Sequence, residues 1–167
     1  MNGRLTQALV LVVIAVAVAF ITNSARDENL ALVGNWPSIS GSDSIIVPPS
    51  AEEGDPPFIS LDEAAAKFQT PEVIFIDARY PEDYAEGHIR GAINLPYEEL
   101  DQYWDKVAPT IPKDRPVVVY CSGEECELSL MLAREMVVKG WKDIYVFFGG
   151  WREWQKSKLP TAGGEME

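Results

Sequence analysis

The chain has 167 residues, 47% of them hydrophobic, and carries 26 acidic against 14 basic side chains. That length allows one core of ordinary size plus an extension, and a net charge of -12 with no basic run argues against a nucleic-acid or anionic-lipid surface. Two cysteines and one histidine are too few for a disulfide framework or a zinc site of the usual ligand number. No metal and no cofactor is therefore expected, and any cysteine chemistry rests on those two thiols.

After a four-residue amino terminus, the segment 5–25 contains no charged residue, and Ala8 through Ile21 is unbroken apolar sequence. About 20 such residues suffice for a helix to cross a hydrocarbon layer of about 30 Å. Arg4 precedes the segment, whereas Arg26, Asp27 and Glu28 after it sum to a negative charge. The positive-inside rule then leaves residues 1–4 in the cytoplasm and the rest of the chain outside it, in a bacterium facing the periplasm. The competing reading is a cleaved signal peptide, since Ala17-Val18-Ala19 has the small-x-small pattern. Either way the domain is exported, and the anchor reading makes the membrane a partner through 5–25.

Residues 26–57 read as a flexible linker, because glycine, proline and serine break every periodic pattern there. Trp36 and Ile45-Ile46-Val47 interrupt it and are read as incidental apolar groups rather than docking ones. Ser60-Leu61-Asp62-Glu63 is a capping box opening a helix to Phe68. Val73 to Asp77 is a continuous apolar run ending in a carboxylate, the pattern of a strand covered on both faces. A short run at Ala92 to Leu95 precedes a helical stretch from Tyr97 to Val107. Val117 to Tyr120 is a third strand. Leu128, Met131, Leu132 and Met136 keep helical spacing up to Gly140, and Ile144 to Phe147 is a fourth strand before a last helix from Trp151 to Lys156. Alternating strands and helices define an α/β fold, a mainly parallel central sheet flanked by helices and preceded by the one transmembrane helix. Sheets of this kind bind ligands at the carboxyl ends of their strands, and Cys121 stands at such an end.

Three segments in order carry a family likeness: Ile76-Asp77-Ala78-Arg79 running on to Gly87-His88-Ile89-Arg90-Gly91-Ala92-Ile93-Asn94-Leu95-Pro96, then Val118-Val119-Tyr120-Cys121, then Ile144 to Trp154. Together they resemble the rhodanese homology domain over 58–160, leaving 161–167 as a tail. The resemblance implies a sulfurtransferase in which Cys121, as thiolate, takes sulfane sulfur from a donor, holds it as a persulfide and passes it to an acceptor, each a small thiol or a protein. The residue chemistry points the same way, because two-step covalent transfer needs an activated thiolate cradled by loop amides. The cradling loop is Ser122, Gly123, Glu124, Glu125, Cys126 and Glu127.

That loop departs from the basic loops of many active members. Cys126 stands where an arginine is common, and Ser129 matches the small polar residue opening the next helix, which makes the loop a residue or two longer. A carboxylate at ~8 Å and an effective dielectric near ~40 would disfavour the thiolate by about 1 kcal/mol, similar to what loop amides and a helix dipole supply. Slow turnover of thiosulfate is the expectation, with a protein or a neutral or cationic thiol compound as the physiological partner. Cys126 is open to two readings, a disulfide or resolving partner of Cys121 and a small apolar residue under the loop. Asp77 and Arg79 lie at the same sheet edge and either pair with each other or support the loop and substrate. His88, Trp141, Trp151 and Trp154 are read as structural. Besides the transferase, a thiol–disulfide switch using Cys121 and Cys126 and a non-catalytic binding module remain open; a phosphatase or arsenate reductase is disfavoured because the loop lacks an arginine.

Overall fold

The computed structural model describes residues 44–163 and a few isolated helical positions nearer the amino terminus, among them Val10, Leu11 and Val18. The expected membrane segment lies almost wholly outside the described residues, as do Trp36 and the first part of the linker. Among the described residues no helix is long and apolar enough to cross a membrane.

The elements follow the sequence patterns closely. Helix α1 is Leu61–Phe68, β1 Ile74–Asp77, α2 Pro81–Glu86, β2 His88–Ile89 and β3 Ile93–Asn94. After a 3-10 turn at Tyr97–Glu99 come α3 (Leu100–Val107), β4 (Val117–Tyr120), α4 (Leu128–Val138), β5 (Ile144–Phe147), α5 (Gly150–Lys156) and β6 (Thr161–Ala162). The α1 capping box forms in full: Ser60 Oγ accepts from the Glu63 amide at 3.2 Å, and the Ser60 amide donates to the Glu63 carboxylate at 2.9 Å. Three short elements have no sequence pattern long enough to announce them. Helix α2 is started by Pro81 at its first position and buries no residue; β2 and β6 are two residues each and pair antiparallel, His88 with Ala162 and Ile89 with Thr161. Residues 161–162 are therefore a strand, not the tail expected of them.

The main sheet is parallel throughout, in the order β3-β1-β4-β5, and the Pro57–Ile59 backbone extends it beside Val146. Successive side chains face opposite layers, as the period of two requires. Ile76, Val117, Val119, Ile144 and Val146 pack under Leu130, Leu132, Ala133 and Met136 of α4, while Phe75, Val118, Tyr120 and Phe147 pack with Leu61, Ala64 and Trp154 on the other face. All four β4 residues are fully buried, which is why that strand lacks polar alternation. The register aligns Asn94, Asp77, Tyr120 and Phe147 across the sheet, so the loops that follow them emerge along one edge.

The linker reading needs correction for its second half. Ile46 is buried in the α4-side core, and Arg134 of α4 grips the Asp55 carboxylate with two hydrogen bonds of 2.7 Å while donating to the Ser50 carbonyl at 3.0 Å. The Arg134 hydrogen bond holds the Asp55 carboxyl below the usual carboxylate range. Proline and serine signalled irregular backbone correctly, yet irregular backbone can still be laid against a domain when it supplies a buried side chain and a paired charge. Ile46→Ala is expected to lower the unfolding free energy by about 2 kcal/mol, whereas Ile45→Ala at its exposed neighbour should change it by less than about 0.5 kcal/mol. Urea denaturation of the two variants checks this, and equal effects would contradict the docking.

Candidate active site

Cys121 follows the last residue of β4 and is 1% exposed. Its loop is held from one side by α5. The Trp151 amide donates to the Cys121 carbonyl at 2.8 Å and the Arg152 amide to the Ser122 carbonyl at 3.0 Å. In a trans peptide the carbonyl and the following N–H point in opposite directions, so these bonds turn the Ser122 and Gly123 amides away from α5. Gly150 makes the approach possible: its φ is +61°, and a Cβ there would collide with the Cys121 carbonyl and the Gly123 amide nitrogen. The loop closes on itself through a Cys126 amide to Gly123 carbonyl bond of 2.8 Å.

Cys121 and Cys126 are joined by a disulfide, with their Cα atoms 6.2 Å apart. Cys126 is half-buried, unlike its partner. Ser122 Oγ lies 3.9 Å from Cys121 Sγ. Glu124, Glu125 and Glu127 are exposed; Glu125 faces Arg152 at 3.9 Å, and Glu127 accepts a 2.6 Å hydrogen bond from Ser50. Carboxylates in that setting are screened by water and salt, and the repulsion expected from the sequence is correspondingly reduced.

Beside the loop tip lies a cleft of about 240 Å³ in which Glu124, Glu125 and Glu153 oppose Arg152 and Lys156. Three carboxylates against two cations leave it net negative, and Cys121 does not line it. Glu153 and the Trp151 and Arg152 amides are the site features that sequence reasoning missed; the Gly149-Gly150 pair, needed for close approach, was their one signal. A Cβ at Gly149 would collide with the Glu153 carboxylate.

Asp77 and Arg79 come together in a buried pair behind the loop. Arg79 Nη2 donates to Asp77 Oδ2 at 2.6 Å, Nε donates to Oδ1 at 3.0 Å, and Nη2 also reaches the Gly87 carbonyl at 2.7 Å. Burial opposes the Arg79 charge, but the hydrogen bond to Asp77 and its negative charge outweigh this and hold the guanidinium protonated. Burial, then the Asp77 carboxylate, push the Tyr120 hydroxyl far up, so it stays neutral and accepts the Ile89 amide at 3.1 Å. His88 stacks on Tyr84 and its Nδ1 lies 2.8 Å from the Tyr84 carbonyl. Trp154 is fully buried and donates to the Pro160 carbonyl. Among the described residues no group of side chains is arranged to hold a metal ion.

A parallel sheet whose inner strand delivers a cysteine to a helix-braced loop defines a thiol-centred α/β domain. The chain belongs to the rhodanese-like domain family, whose model matches residues 60–157. It is 32% identical to thiosulfate sulfurtransferase GlpE of Coxiella burnetii over 104 residues, 62% of this chain and 91% of that one. It is 30% identical to the protein of the same name from Tolumonas auensis over 97 residues, 58% of this chain and 86% of that one. A thiosulfate sulfurtransferase structure from Pseudomonas aeruginosa shares the fold at 22% identity and a TM-score of 0.51, over 64% of this chain and 20% of that one. At the level of the family, the domain match and the two named relatives support sulfurtransferase activity.

Burial of the Glu153 carboxyl, with the charge of Glu124 added, raises its pKa above the ordinary 4.5. The unfolded chain then ionises this group before the folded one does, so it costs stability as pH rises from the carboxylate range toward neutrality. Glu153→Gln should raise the denaturation midpoint at about pH 7 and leave it unchanged at about pH 3. A midpoint that rises equally at both values would place the effect elsewhere.

Proposed function

We propose that this protein is an exported, membrane-tethered sulfurtransferase that forms a persulfide on Cys121. The observation that carries the reading is the place of Cys121: the end of the innermost buried strand of a rhodanese-like domain, in a loop whose first two carbonyls, those of Cys121 and Ser122, are turned out to α5. With the disulfide reduced, the Cys121 thiolate attacks the terminal sulfur of a donor R–S–SH, forming the Cys121 S–S bond as R–S⁻ departs. The Ser122 and Gly123 amides, turned away from α5 by those bonds, suit the negative charge carried by that terminal sulfur. An acceptor nucleophile then takes the terminal sulfur and returns Cys121 to thiolate.

The net negative cleft favours a neutral or cationic thiol compound or a protein over the thiosulfate dianion. A protein donor or acceptor would meet the exposed loop tip. Cysteine hydropersulfide, which lacks the double negative charge of thiosulfate, should deliver its sulfur to wild-type Cys121, read by intact mass as an added sulfur atom or as released sulfide, while Cys121→Ser takes up no sulfur. Thiosulfate:cyanide transfer should be slow, and fast wild-type turnover of thiosulfate in a coupled thiocyanate assay would sink that choice of donor. Full biological function in a Cys121→Ser strain would instead support a non-catalytic module.

The tether rests on the uncharged segment 5–25 and the charge asymmetry of its flanks. A disulfide in the site suits an oxidising compartment. Full-length protein in a bacterial host should pellet with membranes, resist alkaline carbonate extraction and be cleaved by protease added to spheroplasts. A shortened chain in the soluble fraction would indicate signal-peptide cleavage, and protection from protease would contradict export.

A further inference from the structure

We propose that Cys126 is the built-in acceptor of the sulfur transfer: its thiolate resolves the Cys121 persulfide, releases hydrosulfide and leaves the disulfide seen in the structure, which a dithiol reductant must open before the next turnover. This rests on the reading of Cys121 as the persulfide-bearing thiol.

The geometry is preformed. Bridging needs Cα atoms about 4.4 to 6.8 Å apart, and the two cysteines stand at 6.2 Å within a loop closed by the Cys126 amide to Gly123 carbonyl bond. Tethered this way, Cys126 acts at an effective concentration that no dissolved thiol matches. External small anions are disfavoured as acceptors by the acidic surroundings, with Glu124 and Glu125 on the loop and Glu153 across the cleft. A nucleophile already tethered in the loop brings no further anion into those surroundings.

The chemistry balances. The Cys126 thiolate attacks Cys121 Sγ, the inner sulfur of Cys121–S–SH; the Sγ–Sγ bond forms, the bond from Sγ to the terminal sulfur breaks, and HS⁻ carries away the electron pair. Hydrosulfide is a better leaving group than an alkyl thiolate because its conjugate acid is stronger. The dithiol then reduces the protein disulfide and is itself oxidised to a cyclic disulfide. The asymmetry of burial sets the direction of that attack. Cys121 is 1% exposed and Cys126 half-buried, so a reductant reaches the Cys126 sulfur and Cys121 leaves as the thiolate beside the loop amides. Overall, R–S–SH and a dithiol become R–SH, hydrogen sulfide and an oxidised dithiol. The partner this requires is a dithiol oxidoreductase or a small dithiol.

Full-length protein is reduced, freed of reductant and mixed with one equivalent of cysteine hydropersulfide, and released sulfide is trapped with monobromobimane while intact masses are recorded. Wild type should release nearly one equivalent of sulfide and finish two hydrogens lighter, as the disulfide. Cys126→Ser and Cys126→Ala should hold the added sulfur on Cys121 and release sulfide at least about tenfold more slowly. The proposal is overturned if wild type keeps a stable persulfide, or if the Cys126 variants release sulfide as fast as wild type; in both cases Cys121 is still loaded and the sulfurtransferase reading survives. If neither wild type nor the Cys126 variants gain sulfur, both readings fall together.

Discussion

The buried pair of Asp77 and Arg79 is the interaction on which the sheet edge that carries Cys121 depends. Asp77 is fully buried and Arg79 nearly so, and neither charge is left without partners. Two arginine nitrogens hold the carboxylate, one of them also takes the Gly87 carbonyl, and Asn94 donates to the carbonyls of both Asp77 and Arg79. The pair thereby fixes the end of β1 to β3 and to the turn before β2. Arg79 also lies 5.3 Å from the Trp151 ring, whose edge packs where a side chain at Gly87 would stand. Trp151 in turn donates its amide to the Cys121 carbonyl. Charge in the sheet edge, an aromatic ring and a loop carbonyl form one mechanical series ending at Cys121. Losing one member of a buried pair costs about 3–5 kcal/mol because the other charge is stranded, so the series is held firmly at its far end.

Much of this was legible from the chain. The four main strands, the capping box at Ser60 and the cysteine at a strand end follow from apolar continuity and local hydrogen-bonding rules that tertiary context did not overturn. What was not legible has physical reasons. Helix α2 shows no apolar face, and β2 and β6 are too short for a period to appear. The burial of Ile46 leaves no trace in the sequence because irregular segments bury single side chains without any repeating pattern. The charge on the loop could be counted but not aimed: nothing in Glu127 itself tells that Ser50, 77 residues earlier, would take its carboxylate. Likewise Cys126 was left open between a packed thiol and a bonded one, because sequence spacing does not give the turn at Gly123 that closes the loop.

The strap from Ser44 to Pro57 reaches both the core and the cysteine loop. It contributes Ile46 to the core, Asp55 to Arg134 and Ser50 to Glu127, the residue next to Cys126. The same α4 surface therefore receives the chain arriving from the amino terminus and carries the first turn after the cysteine loop. Exposed ion pairs contribute little, but Asp55 is largely shielded and bonded bidentately, which makes this one a defined clamp.

The hydrogen bonds from α5 reach only the first two carbonyls of the loop, those of Cys121 and Ser122, while Glu124 and Glu125 project from the far end into solvent. The loop thus has a fixed shoulder and a free tip. Substitutions at the tip can change its charge without disturbing the bonds that place Cys121. A lineage can therefore vary the charge this loop presents while inheriting the placement of its cysteine intact, and the acidic tip of this chain is one setting of that adjustable part.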